Sequence, residues 1–171
     1  MNLNIKKNIL FLICRYLLRS LFLLTIFSLN ETLANNCHII GELGTSGSCN
    51  GKLIVSRENL LDAISNGSYA IDGPDQNGNT ISYTFAEGGS GDIYTGNITD
   101  FSQLFKGQKS FNQDIGYWNT SSATNMSGMF SNARKFNQNI GSWDVSNVIQ
   151  MNGMFMNAKK FNQNIGSWDV S

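Results

Sequence analysis

Cys37, His38 and Cys49 are the residues whose types and spacing come closest to a reactive centre in this chain. Two thiolates and an imidazole supply three zinc ligands, but no fourth accompanies them, and adjacent Cys and His lack the spacing of a closed zinc site. Gly41, Gly44 and Gly47 lie between the two cysteines. In an oxidising compartment, such a pair on a glycine-rich loop predicts a Cys37–Cys49 disulfide, which stabilises mainly by restricting the unfolded chain. A second stretch, residues 72–79 (DGPDQNGN), is rich in oxygen ligands and hints at calcium. Placing Gly78 at the invariant glycine of an EF-hand frame puts Gly73 first and Thr84 last, where carboxylates are required. The stretch therefore reads as a hairpin loop, with a loose oxygen-lined site as the weaker alternative. His38 is the sole histidine, and residues 93–171 contain neither histidine nor cysteine. Ser-His-Asp or Cys-His chemistry has nothing to build on there, so a non-enzymatic protein without cofactor or metal is expected.

The elements that position these residues follow a fixed period. Residues 111–135 read FNQDIGYWNTSSATNMSGMFSNARK and residues 136–160 read FNQNIGSWDVSNVIQMNGMFMNAKK, identical at 14 of 25 positions. Residues 161–171 (FNQNIGSWDVS) open a third copy. A short fixed period is the signature of a solenoid, in which each unit buries its apolar face only against its neighbours. Residues 93–110 align on the same frame as a degenerate first coil, with Phe101 matching Met126 and Met151, and Phe105 matching Phe130 and Phe155.

The repeat core is expected from Phe111, Ile115, Trp118, Met126, Met129 and Phe130, and from their equivalents Phe136, Ile140, Trp143, Met151, Met154, Phe155, Phe161, Ile165 and Trp168. Met151, Met154 and Phe155 stand at i, i+3 and i+4, which predicts a single helical turn. Phe136, Ile140 and Trp143 predict a short bent strand with Gly141 at a turn, and Phe should stack on Phe and Trp on Trp. The Asn-Gln pairs at 112–113, 137–138 and 162–163 predict a ladder of amides bonding backbone rather than a ligand-binding stripe. Asp114, Asn139 and Asn164 share one phase and form the candidate binding face. Asn139→Ala is expected to spare the fold and abolish partner binding.

Residues 1–34 have a different character. Lys6, Lys7, Arg15 and Arg19 precede the apolar run at 21–29, and Thr32-Leu33-Ala34 offers small residues for cleavage, which predicts a secretory signal peptide. An uncleaved anchor over residues 9–29 is the alternative, but it would bury Arg15 and Arg19 in the bilayer. Cys14 follows Leu-Ile, without the small residue that a lipid-attachment box needs. Removing this segment leaves eight basic against eleven acidic residues, a mildly acidic chain unsuited to nucleic acid or anionic lipid. Residues 35–92 do not repeat and read as a cap. Ser56 and Glu58 start a helix carrying Leu60, Leu61, Ala63 and Ile64, residues 68–71 and 81–85 form a hairpin, and residues 87–92 make a glycine-rich joint.

The string FNQ[DN]IGxW, followed at fixed distance by MxxMFxxA, resembles the repeat of BspA-like leucine-rich-repeat bacterial surface proteins, clearly over residues 111–171 and weakly over 93–110. The resemblance implies an exported surface protein with a leucine-rich-repeat-like solenoid that binds host or matrix proteins. The expected architecture is α/β, a small α+β cap (residues 35–92) ahead of a short solenoid of 25-residue coils (93–110, 111–135, 136–160 and the incomplete 161–171). The expected function is a secreted or cell-surface interaction or adhesion module. Its partner would be a protein or glycan at the cell surface, with membrane contact only through residues 1–34 if they are retained. The alternatives are a self-associating structural protein and a fragment of a longer repeat protein, since a chain ending at Ser171 leaves Phe161, Ile165 and Trp168 uncovered.

Overall fold

The computed structural model describes Cys37 and residues 40–45, 49–86 and 92–171. Residues 1–34, where a signal peptide is expected, His38 and residues 87–91 of the expected glycine-rich joint lie outside the described residues.

Local chemistry starts each element of the cap. Strand β1 (Leu53–Ile54) leads directly into helix α1 (Arg57–Ser65). Ser56 caps the helix by a reciprocal pair: its Oγ accepts the Asn59 N–H at 3.2 Å and Asn59 Oδ1 accepts the Ser56 N–H at 2.9 Å. Leu60, Ala63 and Ile64 form the buried face of α1. Strands β2 (Ala70–Pro74) and β3 (Thr80–Thr84) pair antiparallel, from Ala70 opposite Thr84 to Pro74 opposite Thr80. They reach further into the polar stretch than its turn formers suggest, because Asp75 closes the loop in only five residues. Its Oδ1 accepts the N–H groups of Asn77 and Asn79, both at 2.8 Å, and its Oδ2 accepts Asn79 Nδ2 at 3.0 Å. Strand β4 (Ile93–Tyr94) then returns parallel to β1 and opens the first coil. Cys37 and Cys49 are joined by a disulfide, buried with Ile54 and Tyr94.

The coils are built from turns. The N–H groups of Leu104, Lys106 and Gln108 bond the carbonyls of Phe101, Gln103 and Phe105, and the pattern recurs at Met129, Ser131 and Ala133 and at Met154, Met156 and Ala158. Positive φ recurs with the same period, at Gln103 (56°), Gly128 (63°) and Gly153 (65°), and at Gly107 (76°), Asn132 (61°) and Asn157 (58°). A left-handed residue inside each turn stops a helix from propagating. Met151 and Met154 therefore share a face through one i→i+3 turn of 3.3 Å, and not through the helical turn predicted from their spacing. The segment Phe136–Ile140–Trp143 likewise forms no strand, and parallel pairing within the stack is limited to isolated bridges at Asp100, Asn125 and Gln150. Among the described residues, helix and paired strands thus belong to the cap and to the start of the first coil, and not to the coils expected to be α/β.

Alternate N–H groups, unused within the turns, join the coils. Phe101, Gln103, Phe105 and Gly107 donate to the carbonyls of Asn125, Ser127, Met129 and Ser131 at 2.8–2.9 Å. One period later, Met126, Gly128, Phe130 and Asn132 donate to Gln150, Asn152, Met154 and Met156 at 2.7–3.0 Å. A single buried cluster runs from Leu53 in the cap to Met154 in the stack. At its centre are two parallel columns of rings. Phe105, Phe130 and Phe155 stack at 5.5 and 5.7 Å, and Phe111, Phe136 and Phe161 at 5.8 Å each, with cross-column pairs 3.9–4.0 Å apart. The indoles do not extend a Trp-on-Trp column. Trp118, Trp143 and Trp168 instead lie 5.8, 6.1 and 6.3 Å from the rings of Phe105, Phe130 and Phe155. Ile115, Met126, Met129 and Ile140 complete the buried interior, while Met151, Phe155, Phe161, Ile165 and Trp168 at the outer end are only partly buried.

Gly141 is required for close approach as well as for a turn. A Cβ there would lie 2.7 Å from the Asn164 carbonyl oxygen of the following coil, and one at Gly116 would lie 2.5 Å from that of Asn139. At Gly166 the nearest atom is Asn164 Oδ1, at 3.2 Å. Gly141→Ala should therefore cost about 1–3 kcal/mol in urea unfolding, and Gly166→Ala only a few tenths. Equal costs would show that the backbone contact between coils is not what glycine serves.

Candidate functional site

The lateral row Asp114, Asn139 and Asn164 is exposed and in line along the stack. Each side chain is held by its own turn: Oδ1 accepts the N–H of Gly116, Gly141 or Gly166 at 3.0, 3.0 and 2.9 Å. Asn139→Ala would remove that acceptor and should cost about 0.5–1.5 kcal/mol of stability in addition to any effect on binding. Aspartate at the same phase in Asp114 shows which substitution keeps the turn. A second row, Asn119, Asp144 and Asp169, accepts the N–H and hydroxyl of Ser121, Ser146 and Ser171 in the same manner.

The Asn-Gln pairs are turned toward neighbouring coils. Asn112 Oδ1 accepts the Asn137 N–H and Asn137 Oδ1 accepts the Asn162 N–H, both at 2.8 Å. Gln138 and Gln163 donate to the carbonyls of Asn112 and Asn137 at 2.8 and 2.9 Å. Nearby, Trp143 and Trp168 Nε1 donate to the carbonyls of Ile115 and Ile140 at 3.2 Å, and Ser142 and Ser167 Oγ to those of Gly116 and Gly141 at 3.2 and 2.8 Å. These amides, indoles and hydroxyls are therefore structural rungs. Trp118 Nε1 is buried without an acceptor among the described residues.

The metal-ligand candidates resolve differently. Both cysteine sulfurs are consumed by the disulfide. In the polar loop, both carboxylate oxygens of Asp75 take hydrogen bonds from Asn77 and Asn79. No group of three or more His, Cys, Asp or Glu side chains suited to a metal exists among the described residues. An open polar hollow of about 510 Å³ lies between α1 and the hairpin, lined by Asn59, Asp62, Asn66, Ser68, Asp72 and Ser82 among others.

Hydrogen bonds from Asn79 and Asn77 hold Asp75 below the usual carboxylate range, and those from Ser146 and Ser171 do the same for Asp144 and Asp169. At Asp100 burial works against ionisation, but the Ser102 bonds and Arg57 outweigh it and the pKa is lowered. A carboxylate depressed in the folded state stabilises above its unfolded pKa, and that contribution is lost as pH falls through the folded value. The melting temperature should therefore hold steady down to about pH 5 and drop below about pH 4. Asp144→Asn with Asp169→Asn, which keeps both Oδ1 acceptors, should flatten that drop. An unchanged acid limb would exclude these turns as its source.

The two ends of the stack differ. At the leading edge the carbonyls of Asp100 and Ser102 occupy the positions that Asn125 and Ser127 occupy one period later, where the preceding coil donates. Here the donor is Arg57 of α1: Nε reaches the Asp100 carbonyl at 2.9 Å and Nη2 that of Ser102 at 2.6 Å. One guanidinium thus replaces a missing coil. Tyr69 and Phe85 continue the ring columns on this side, 5.2 Å from Phe111 and 6.3 Å from Phe105. Arg57 is not distinguished in the sequence, since Ser56 and Glu58 mark a helix start but not the long-range acceptors. At the outer end, Met151, Met154, Phe155, Ile165, Trp168 and Val170 line an open apolar groove of about 560 Å³.

Residues 80–171, more than half of the chain, match the family described as Mycoplasma protein of unknown function, DUF285. The chain belongs to this family. The DUF285 match begins at the first residue of β3 and takes in β4 and every coil. Helix α1, with Arg57, and the disulfide precede the DUF285 stretch, so the guanidinium that meets the Asp100 and Ser102 carbonyls is supplied from outside it. No curated protein and no solved structure matches the chain. No helix among the described residues is long and apolar enough to cross a membrane.

Proposed function

We propose that this chain is an exported, non-enzymatic interaction module of the BspA-like kind. It is a short leucine-rich-repeat-like solenoid that presents its lateral row to a protein or glycan at the cell surface. The observation that supports this reading is the row itself: Asp114, Asn139 and Asn164 are exposed at 25-residue intervals, each held by the hydrogen bond to its own turn. Polar groups held in advance lose less freedom on binding, and their even spacing suits an extended or repeating ligand. Export would be directed by residues 1–34.

The test is binding to arrays of glycans and extracellular-matrix proteins, comparing wild type with Asn139→Asp/Asn164→Asp. The double variant keeps both turn acceptors, as Asp114 does, and adds two charges to the row. Any ligand captured by wild type should bind the variant about tenfold more weakly. Undiminished binding, or no capture across both arrays, would remove the lateral row as the interaction site.

A further inference from the structure

We propose that one lateral corner of the stack is a docking site for a sulfated polysaccharide, whose sulfates meet a column of cations and whose sugar hydroxyls meet an adjoining groove. The proposal rests on residues other than those of the lateral row. Lys109, Arg134 and Lys159 share one 25-residue phase, with Lys135 and Lys160 directly after the last two, and all five are exposed. The Lys135 N–H donates to the Lys109 carbonyl at 3.1 Å, so neighbouring coils are tied together at this corner. Stacked rings of the same coils repeat at 5.5–5.8 Å, which sets the backbone step from one cationic residue to the next. None of the five joins an ion pair among the described residues, where the pair present is Arg57 with Asp100. Like charges held in register on neighbouring segments repel. The coil aspartates do not offset that repulsion, since Asp114, Asp144 and Asp169 accept from their own turns. The acidity expected of the exported chain belongs to the cap. Residues 35–92 carry seven acidic and two basic residues, whereas residues 93–171 carry four acidic and six basic.

A groove of about 250 Å³ crosses the same three coils, and Lys106, Ser131 and Met156 in its lining stand three residues before Lys109, Arg134 and Lys159. Even fully extended, three residues span only about 10 Å, so one ligand reaches both features. Gly128 and Gly153 have positive φ and leave their part of the groove open, where Gln103 places a side chain at the equivalent position. Ser127, Asn152 and Gln103 offer hydroxyl and amide groups, Met156 offers an exposed apolar chain, and no carboxylate lines the groove. Hydroxyls and amides fit sugar hydroxyls, and an apolar side chain fits the face of a sugar ring. No aromatic side chain lines the groove, which leaves no platform for a stacked nucleobase. Groove and cation column both draw on successive coils, so the ligand they suit is an extended polymer and not a compact anion.

The experiment measures binding of the full chain, with its disulfide intact, to heparin across a salt series. Desulfated heparin, polyphosphate and phosphatidylglycerol vesicles are measured beside it. Heparin should bind with an affinity that falls as salt rises, and the three other probes about tenfold or more weaker. Arg134→Gln with Lys159→Gln should weaken heparin binding about tenfold and lower the slope of log affinity against log salt by about two. Asn139→Asp with Asn164→Asp changes the net charge by the same amount on the lateral row, and should weaken heparin binding far less. Ser127→Trp fills the groove without changing charge and should weaken binding about tenfold. An unchanged melting temperature shows that each variant is folded. No binding of heparin at low salt would overturn the proposal. Equal losses in the two charge variants would do the same, because net charge and not the corner would then be the cause. Polyphosphate or vesicles bound as tightly as heparin, or full binding by Ser127→Trp, would overturn the assignment to a polysaccharide.

Discussion

Replacing Phe130 by alanine should lower unfolding stability by about 3–5 kcal/mol, the largest single-residue effect expected in the stack. Its ring is fully buried and lies 3.9 Å from Phe136, 5.5 Å from Phe105, 5.7 Å from Phe155 and 6.1 Å from Trp143. It lies at the middle of one column and meets the other at Phe136, so truncation opens a cavity that backbone hydrogen bonds at 25-residue steps prevent from collapsing. Phe155 has the same phase and the same kind of neighbours, but it lies on the outer face and is only partly buried. Phe155→Ala should cost clearly less. Urea midpoints of the two variants compare them directly, and equal losses would mean that burial at the centre of the stack is not what makes the column stable.

Arg57→Ala should cost about 2–4 kcal/mol, although the residue sits on the surface of a short helix. The loss comes from two carbonyls, those of Asp100 and Ser102, left without the charge-assisted donors that replace a preceding coil. The ion pair itself contributes little, since Arg57 and Asp100 are 3.6 Å apart with both side chains substantially solvated. Asp100→Asn keeps the Oδ1 acceptor for the Ser102 N–H and should therefore cost far less than Arg57→Ala. Arg57→Lys should recover only part of the loss, because one ammonium does not reproduce the planar fork that spans two carbonyls. Calorimetric melting of the three variants decides this. An Asp100→Asn loss as large as that of Arg57→Ala would make the ion pair, and not the capped backbone, the operative contact.

The helix start at Ser56, the turn residues that close the hairpin and the pairing of Cys37 with Cys49 across a glycine-rich loop are all local, so short-range residue preferences were enough to indicate them. The amide ladder was legible for a related reason. A side chain repeated every 25 residues meets its own copy, and Asn and Gln carry both donor and acceptor. Three features of the stack were not legible. The spacing of Met151, Met154 and Phe155 fits a helix and a hydrogen-bonded turn equally well, and only the positive φ at Gly153 separates them. The indoles found Phe rings and distant carbonyls rather than one another. The candidate row Asp114, Asn139 and Asn164 proved to be bound into its own turns.

The period, the identity of the residues that meet their own copies, and the local starts and stops of the cap were determined by sequence alone, because each depends on neighbours in the chain or on exact repetition. The close approach at Gly116 and Gly141, the division of N–H groups between turn and neighbouring coil, and the use of Arg57 as a substitute coil were decided by tertiary structure. Arg57 and Ser102 are 45 residues apart, and no local preference encodes which carbonyls a guanidinium will find once the chain has folded.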